Sequence, residues 1–356
     1  MSAVEPMPAS RFRLPPALAG SVFAVIAAFI VGAALIAAVS VNPLTAYSAL
    51  FEAALGSRNG LAETLLRTVP LSLCGLGIAL AFRAGVFNVG AEGQLFLGGT
   101  AAAAMGVAGA GLPSYLLLPA MGLSAMLAGA LWSGLAAWLK LRFRADELIT
   151  TIMLNYVAIH LVGFLLHGPL RDPNAALAQT ARLTADARLP VLLSGTRLHA
   201  GILIVVIAVI LAHLFLWKRT NGFRLRVVGL NPRAALNAGM NVRGTILFGF
   251  LICGALAGLA GFAEVSGVQR RMIENLSPGF GYTAIIIALL GQTNPFGVLA
   301  AAFLFAALQI GATTMESAAG VPGTLTTVIQ GLVVLFLLAR PALAMLRARL
   351  AKGGAR

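Results

Sequence analysis

Residues 18–41 read LAGSVFAVIAAFIVGAALIAAVSV, an apolar run without a single ionisable side chain. At 1.5 Å of rise per residue a helix of this length crosses about 30 Å of hydrocarbon. Arg11 and Arg13 precede the run, as in a cleavable leader, but its apolar stretch is too long for a leader's core. It predicts a first transmembrane helix. Working outward, similar windows recur between charged or Gly/Pro breaks, at 66–82, 95–111, 115–138, 148–166, 201–217, 245–265, 282–290, 296–313 and 325–338. The fold expected is an all-α polytopic membrane protein with about ten transmembrane helices. The eighth window is too short to span alone and predicts a broken or re-entrant helix, which is tolerated where backbone is buried in protein or lines a cavity.

Composition agrees. Of 356 residues, 59% are hydrophobic and only 10% charged, with a mean hydropathy of +0.93. That is too apolar for a chain that must present a polar surface to water. The 40 glycines lie inside apolar runs without a fixed period, as in helices that pack closely in lipid. A net charge of +14 would suggest nucleic acid in a soluble chain, but the basic residues fall mostly between the apolar runs, so no nucleic-acid partner is expected. Cys74 and Cys253 lie within apolar segments with no CxxC or His neighbour, which predicts buried thiols and no metal site.

Basic residues concentrate in cytoplasmic loops. With the N-terminus inside, the inner segments carry Arg11 and Arg13, Arg83, Lys140 to Arg144, six basic residues from Lys218 to Arg243, and the basic C-terminal end. Outer segments hold fewer, partly balanced by acids, such as Arg58 and Arg67 beside Glu52 and Glu63. Both termini are therefore expected in the cytoplasm. The whole chain reads as one permease-like domain, with cytoplasmic tails at 1–17 and 340–356, an extracytoplasmic loop at 167–200 and a basic cytoplasmic loop at 218–244.

Three stretches stand out. In the basic loop, GLNPRAALNAG at 229–239 predicts a short helix begun by Asn231 or Pro232, carried by Ala234, Ala235 and Ala238, and ended by Gly239. Its small residues suit docking into a cleft on another protein, and its arginines suit lipid headgroups equally well. Residues 82–94, FRAGVFNVGAEGQ, break the apolar pattern and bring Asn88, Glu92 and Gln94 to the start of the next helix. Glu92 there is either a first-turn carboxylate that stabilises its own helix or part of an interrupted helix beside a solute path. Residues 277–297 form a second glycine-broken segment. Among polar residues inside spans, Asn155, Tyr156, His160 and Glu264 qualify as functional candidates, Asn155 chiefly as an interhelical hydrogen bonder. Glu264 is expected near the interface and solvated, and Gly254 with Gly258 as a packing pair.

No GxxxxGK[ST], HExxH or GxSxG motif occurs, so neither a phosphate loop nor a catalytic cluster is expected. A secondary transporter or channel would want a charge at mid-membrane to carry coupling, and no clear one is present.

FNVGAEGQ at 87–94 resembles the signature of nucleoside-type ABC importer permeases, within the larger family that also moves simple sugars and branched-chain amino acids. ADELITTIMLNYVA at 145–158, GLNPRAALNAGMN at 229–241 and GFGYTAIIIALLGQTNPFG at 279–297 are similar to further segments of that family. The sugar relatives carry a different motif at 87–94, which favours nucleosides, with pentoses or hexoses as the alternative. The resemblance implies a bacterial inner-membrane permease without cofactor, ATP and Mg being held by a cytoplasmic ABC ATPase. It also implies a second, paralogous permease and an extracytoplasmic solute-binding protein. Phe87, Asn88, Gly90, Glu92, Gln94 and Asn155 become candidates for the translocation path. The likeness tips the basic loop towards ATPase coupling through Gly229, Asn231, Arg233, Ala234, Ala235, Ala238 and Gly239.

Overall fold

The first nine apolar windows predicted from the sequence fall on helices, and the described residues of the tenth are helical too. The computed structural model describes residues 16–339 apart from 326, 334, 337 and 338; most of the two expected tails and parts of the tenth window lie outside the described residues. The helices are α1 (Pro16–Ala38), α2 (Pro43–Leu55), α3 (Arg58–Arg83), α4 (Ala91–Ala108), α5 (Ser114–Phe143), α6 (Glu147–His167), α7 (Gly201–Lys218), α8 (Thr220–Leu230), α9 (Pro232–Asn237), α10 (Val242–Ala263), α11 (Phe280–Leu290) and α12 (Pro295–Ala319). No strand occurs among the described residues beyond two isolated β-bridges. Six of these helices are long and apolar enough to cross a membrane, seven if the bent pair Val25–Ala38 and Pro43–Leu55 is one span. α4, as long as α7 but carrying Glu92, Gln94 and five glycines or threonines, falls outside the clear cases by its hydropathy, and α11 at about 16 Å reaches only half way through a bilayer.

The chain divides into two compact units, Met1–Tyr47 with Met315–Arg356, and Ser48–Thr314. In the first, the Tyr47 hydroxyl donates to the Phe29 carbonyl at 2.8 Å, and Gly32 leaves room for Tyr47 and Ile329. The second holds every motif discussed above.

Within that second unit α3 is central. From Thr68 to Ala81 every residue is buried, as befits a helix that is apolar all round. On α6 and α7, by contrast, burial recurs every third or fourth position (Thr151, Asn155, Ala158, Val162 and Leu166 on α6), leaving the other apolar faces open. The crossing of α10 with α4 and α5 is made of glycines. A Cβ on Gly98 would run into Gly258, and one on Gly254 into Gly129, so the backbones themselves touch. Gly254 and Gly258 thus pack helices, as their spacing predicts.

The boundaries teach more than the centres. α3 starts at Arg58, capped by Ser57, whose hydroxyl accepts from the Gly60 amide at 2.9 Å. Glu63 and Arg67 are therefore helical and not in an outer loop. The stretch after α6 is ordered. It contains a 3-10 turn at Ala185–Ala187 and lies along the segment after α10, with Leu183 N donating to Arg270 O (2.9 Å) and Thr180 N to Met272 O (3.1 Å). The basic loop holds two helices, α8 and α9, where the sequence predicts one. The second begins and ends as expected: the Asn231 side chain accepts from the Ala234 amide at 3.0 Å, Pro232 is at the first position, and Gly239 has a left-handed φ of 74°.

A candidate translocation junction where two helices begin

α3 ends at Arg83, and the next helix cannot start until Ala91, because the glycines at 85 and 90 and the polar residues between them interrupt the apolar pattern. Backbone left outside a helix in a membrane protein must find partners inside the protein. One stripe of α6 supplies them. Glu147, Thr151 and Asn155 recur at i, i+4 and i+8, so they share a face. Thr151 Oγ1 accepts from Val89 N at 3.2 Å. Asn155 Oδ1 accepts from Gly93 N at 2.9 Å, and its Nδ2 donates to Val89 O at 3.0 Å. Glu147 Oε1 lies 3.5 Å from Phe87 N and also pairs with Lys140.

Asn88 closes the break from within. Its Oδ1 accepts from Gly90 N at 2.8 Å, and its amide pairs reciprocally with Gln94 at 3.2 and 3.3 Å. Nδ2 also reaches Ser133 Oγ at 3.2 Å, and that hydroxyl donates to Phe250 O on α10 at 2.6 Å. Gly90 has no side chain because a Cβ there would press on the Asn88 and Gln94 amides.

Glu92 sits in the first turn of α4 but does not cap that helix. Its Oε2 accepts from Gly281 N of α11 at 2.6 Å. The N-termini of α4 and α11 thus meet at one buried carboxylate, where both helix dipoles favour negative charge. Gly281 permits the meeting, since a Cβ would overlap the Glu92 backbone. Ser277 Oγ accepts from Gly279 N and Phe280 N at 3.1 and 2.9 Å, so it caps α11. Asn155 Nδ2 completes the junction by donating to the Tyr282 hydroxyl at 3.3 Å.

The structure therefore brings Asn88, Gly90, Glu92, Gln94 and Asn155 together, all buried, while Phe87 points outward. It separates others. Tyr156 and His160 lie on the open face of α6. Glu264, expected to be solvated, is only 4% exposed, in a π-helical turn (Glu264–Gln269) that continues α10. Sequence reasoning missed Thr151, Ser133 and Tyr282. Thr151 was legible as the residue one turn before Asn155, whereas Ser133 and Tyr282 carry no local signal.

Just past the Arg83 end of α3, Gly85 abuts Gly229, and Arg226 stacks over Trp217 at 4.2 Å. This gathers 83–85 and 217–229 at one end of the unit. There Ala235 is buried, while Leu230 and Leu236 are 87% and 64% exposed. Asn231, Arg233, Ala234, Ala238 and Gly239 are exposed as well.

Residues 60–338 match the family model described as branched-chain amino acid transport system / permease component. The chain belongs to this permease family. The permease is 42% identical to the glucose ABC transporter permease protein of Haloferax volcanii, over 89% of its own length and 86% of the relative's. It is 37% identical to the guanosine ABC transporter permease protein of Bacillus subtilis over 93% and 96% of the two chains. With the nucleoside ABC transporter permease protein of Lactococcus lactis it shares 31% identity over 88% of each. It is thus a multi-pass membrane permease subunit of an ABC transporter, and its relatives are permeases and not ATPases.

Proposed function

We propose that the chain, together with a second related permease, forms the membrane path of an ATP-driven importer for nucleosides. The observation that carries this reading is the nearly end-to-end likeness to a guanosine permease, supported by FNVGAEGQ at 87–94. A simple-sugar importer is the second reading, favoured by the 42% identity to a glucose permease. The chain crosses the bilayer in about ten segments with both ends in the cytoplasm; the gathering of Arg83, Trp217 and Arg226 at one end of the unit supports that orientation.

In this reading Phe87, Asn88, Gly90, Glu92, Gln94 and Asn155 shape the path. Their hydrogen bonds favour a positioning role, in which they hold the break open and fix where α11 begins. Gly229, Asn231, Arg233, Ala234, Ala235, Ala238 and Gly239 belong to the coupling element that docks on the ATPase, and exposed Leu230 and Leu236 support that docking. ATP and magnesium belong to the ATPase, and a binding protein delivers solute from outside.

Reconstitution tests the reading. Proteoliposomes holding this chain, its partner permease, the ATPase and the binding protein are expected to accumulate radiolabelled guanosine only with ATP. Uptake by this chain alone on an ion gradient overturns the importer, and ATP-driven glucose uptake without guanosine uptake installs the second reading.

A further inference from the structure

Glu264 is a buried carboxylate with no hydrogen-bond donor among the described residues; its electrostatic partners are Arg67 and Arg197. It faces a cavity of about 520 Å³, also lined by Glu63, Gln269 and Asn275. The cavity lies at the Arg58 end of α3, the end away from Arg83. At its rim Arg197 and Glu63 pair at 3.7 Å, with side chains 61% and 32% exposed. At its floor the Arg67 guanidinium lies 5.3 Å from the Phe280 ring, and Ser277, the cap of α11, forms part of the wall.

The chemistry of the lining limits what fits. The cavity sets two acids against two arginines, so no formal net charge favours an ion over an uncharged ligand. The volume lies within the roughly 300–1,000 Å³ of small-molecule sites. A carboxylate only accepts hydrogen bonds and is costly to bury without donors, and a π-helical turn of the kind that holds Glu264 recurs at functional sites. The Glu264 oxygens open onto the cavity, where a pair of adjacent O–H donors on a ligand replaces the water that would otherwise hydrate them. Arg197, Gln269 and Asn275 then face the remainder of the ligand with both donors and acceptors.

We propose that this cavity binds the vicinal diol of an uncharged, hydroxyl-rich solute, with Glu264 accepting from two neighbouring hydroxyls. The inference rests on the importer reading and deepens it by naming the part of the solute that is recognised. Nucleosides and free sugars share that diol.

The test is equilibrium binding to the assembled permease–ATPase complex in nanodiscs without binding protein. Radiolabelled adenosine binding is expected, with displacement by methyl riboside and at least about tenfold weaker displacement by 2′,3′-dideoxyadenosine, about 1.4 kcal/mol. Displacement by the riboside identifies the sugar as sufficient; its failure with the diol preference intact assigns the site to whole nucleosides. Glu264→Gln is expected to weaken adenosine about tenfold and leave the dideoxy analogue unchanged. Because that variant could fail to assemble, Gln269→Cys supplies a second readout. Cys74 and Cys253 are buried, so a water-soluble thiol reagent reads the introduced thiol in this chain, and adenosine but not the dideoxy analogue is expected to slow labelling. Absent adenosine binding, equal affinity for the two analogues, a diol preference that survives Glu264→Gln, or no protection at position 269 overturns the proposal. ATP-dependent uptake by the same complex reports on the importer reading separately. Uptake without diol preference sinks this inference alone.

Discussion

At the junction, Asn88, Glu92, Gln94 and Asn155 are buried and each is hydrogen-bonded to the chain, whereas around α9 the apolar Leu230 and Leu236 stand in the open. Polar groups inside and apolar groups outside both reverse the usual order, but for different reasons. The junction needs its polar side chains to satisfy backbone that no helix satisfies. In the proposed reading, the turn at α9 offers its apolar side chains to the ATPase. The contrast separates residues that hold the fold from those that meet a partner, and substitutions can break it.

The largest effect is expected within α9 itself. Ala235 is fully buried, so Ala235→Glu places a carboxylate in a packed site and is expected to cost several kcal/mol, seen as loss of folded protein in size-exclusion chromatography. Next comes Asn155→Leu, which leaves Gly93 N and Val89 O without their partner. A loss of about 2 kcal/mol or more is expected in thermal melts of the purified complex. If Asn155→Leu melts like the parent, the junction is not held by that side chain.

A smaller effect comes from the segment just before α7. His199 is buried, its Nδ1 accepting from Gly201 N at 3.0 Å. Burial first, then the neighbouring Arg197 charge, holds its imidazole down to about 4. The unfolded chain, with an ordinary value near 6.5, binds the proton first as pH drops. Stability is therefore full above about pH 6.5 and falls as pH approaches 4, by about 2 kcal/mol at pH 5. Melting curves at pH 7 and pH 5 are expected to converge in His199→Asn. The smallest stability change belongs to Leu236→Glu, within about 0.5 kcal/mol, yet it is expected to abolish stimulation of the ATPase. A Leu236→Glu complex with normal stimulation would sharpen the contrast against α9 as the docking element.

The sequence makes helical runs legible because apolar length is a one-dimensional signal, and among the described residues each window is largely helical. Ends are harder. Arg58, Glu63 and Arg67 resembled an outer loop since charge was weighed against lipid, although Ser57 announced a cap. α8 was overlooked because arginines alternate with apolar residues in its eleven positions, leaving little pattern to read. At the junction, Asn88, Glu92 and Gln94 were visible as polar interruptions. That Glu92 answers α11 and not its own helix was not, because the pairing joins residues 189 apart in sequence. The burial of Glu264 was not legible for a similar reason: the cavity it faces is walled by α3 and the segments near 197 and 275 as well as by Val268 and Gln269.

The glycine crossing of α4, α5 and α10 has a mechanical meaning. Where backbone lies directly on backbone there is no layer of side chains to re-rotamerise, so these helices have no bearing on which to slide and act as a single strut. Any rocking that opens the permease first to one side and then to the other has its pivot elsewhere. α11 lies along α3 and reaches the strut where Gly281 N donates to Glu92, and α6 reaches it where Asn155 bonds Gly93 and Val89.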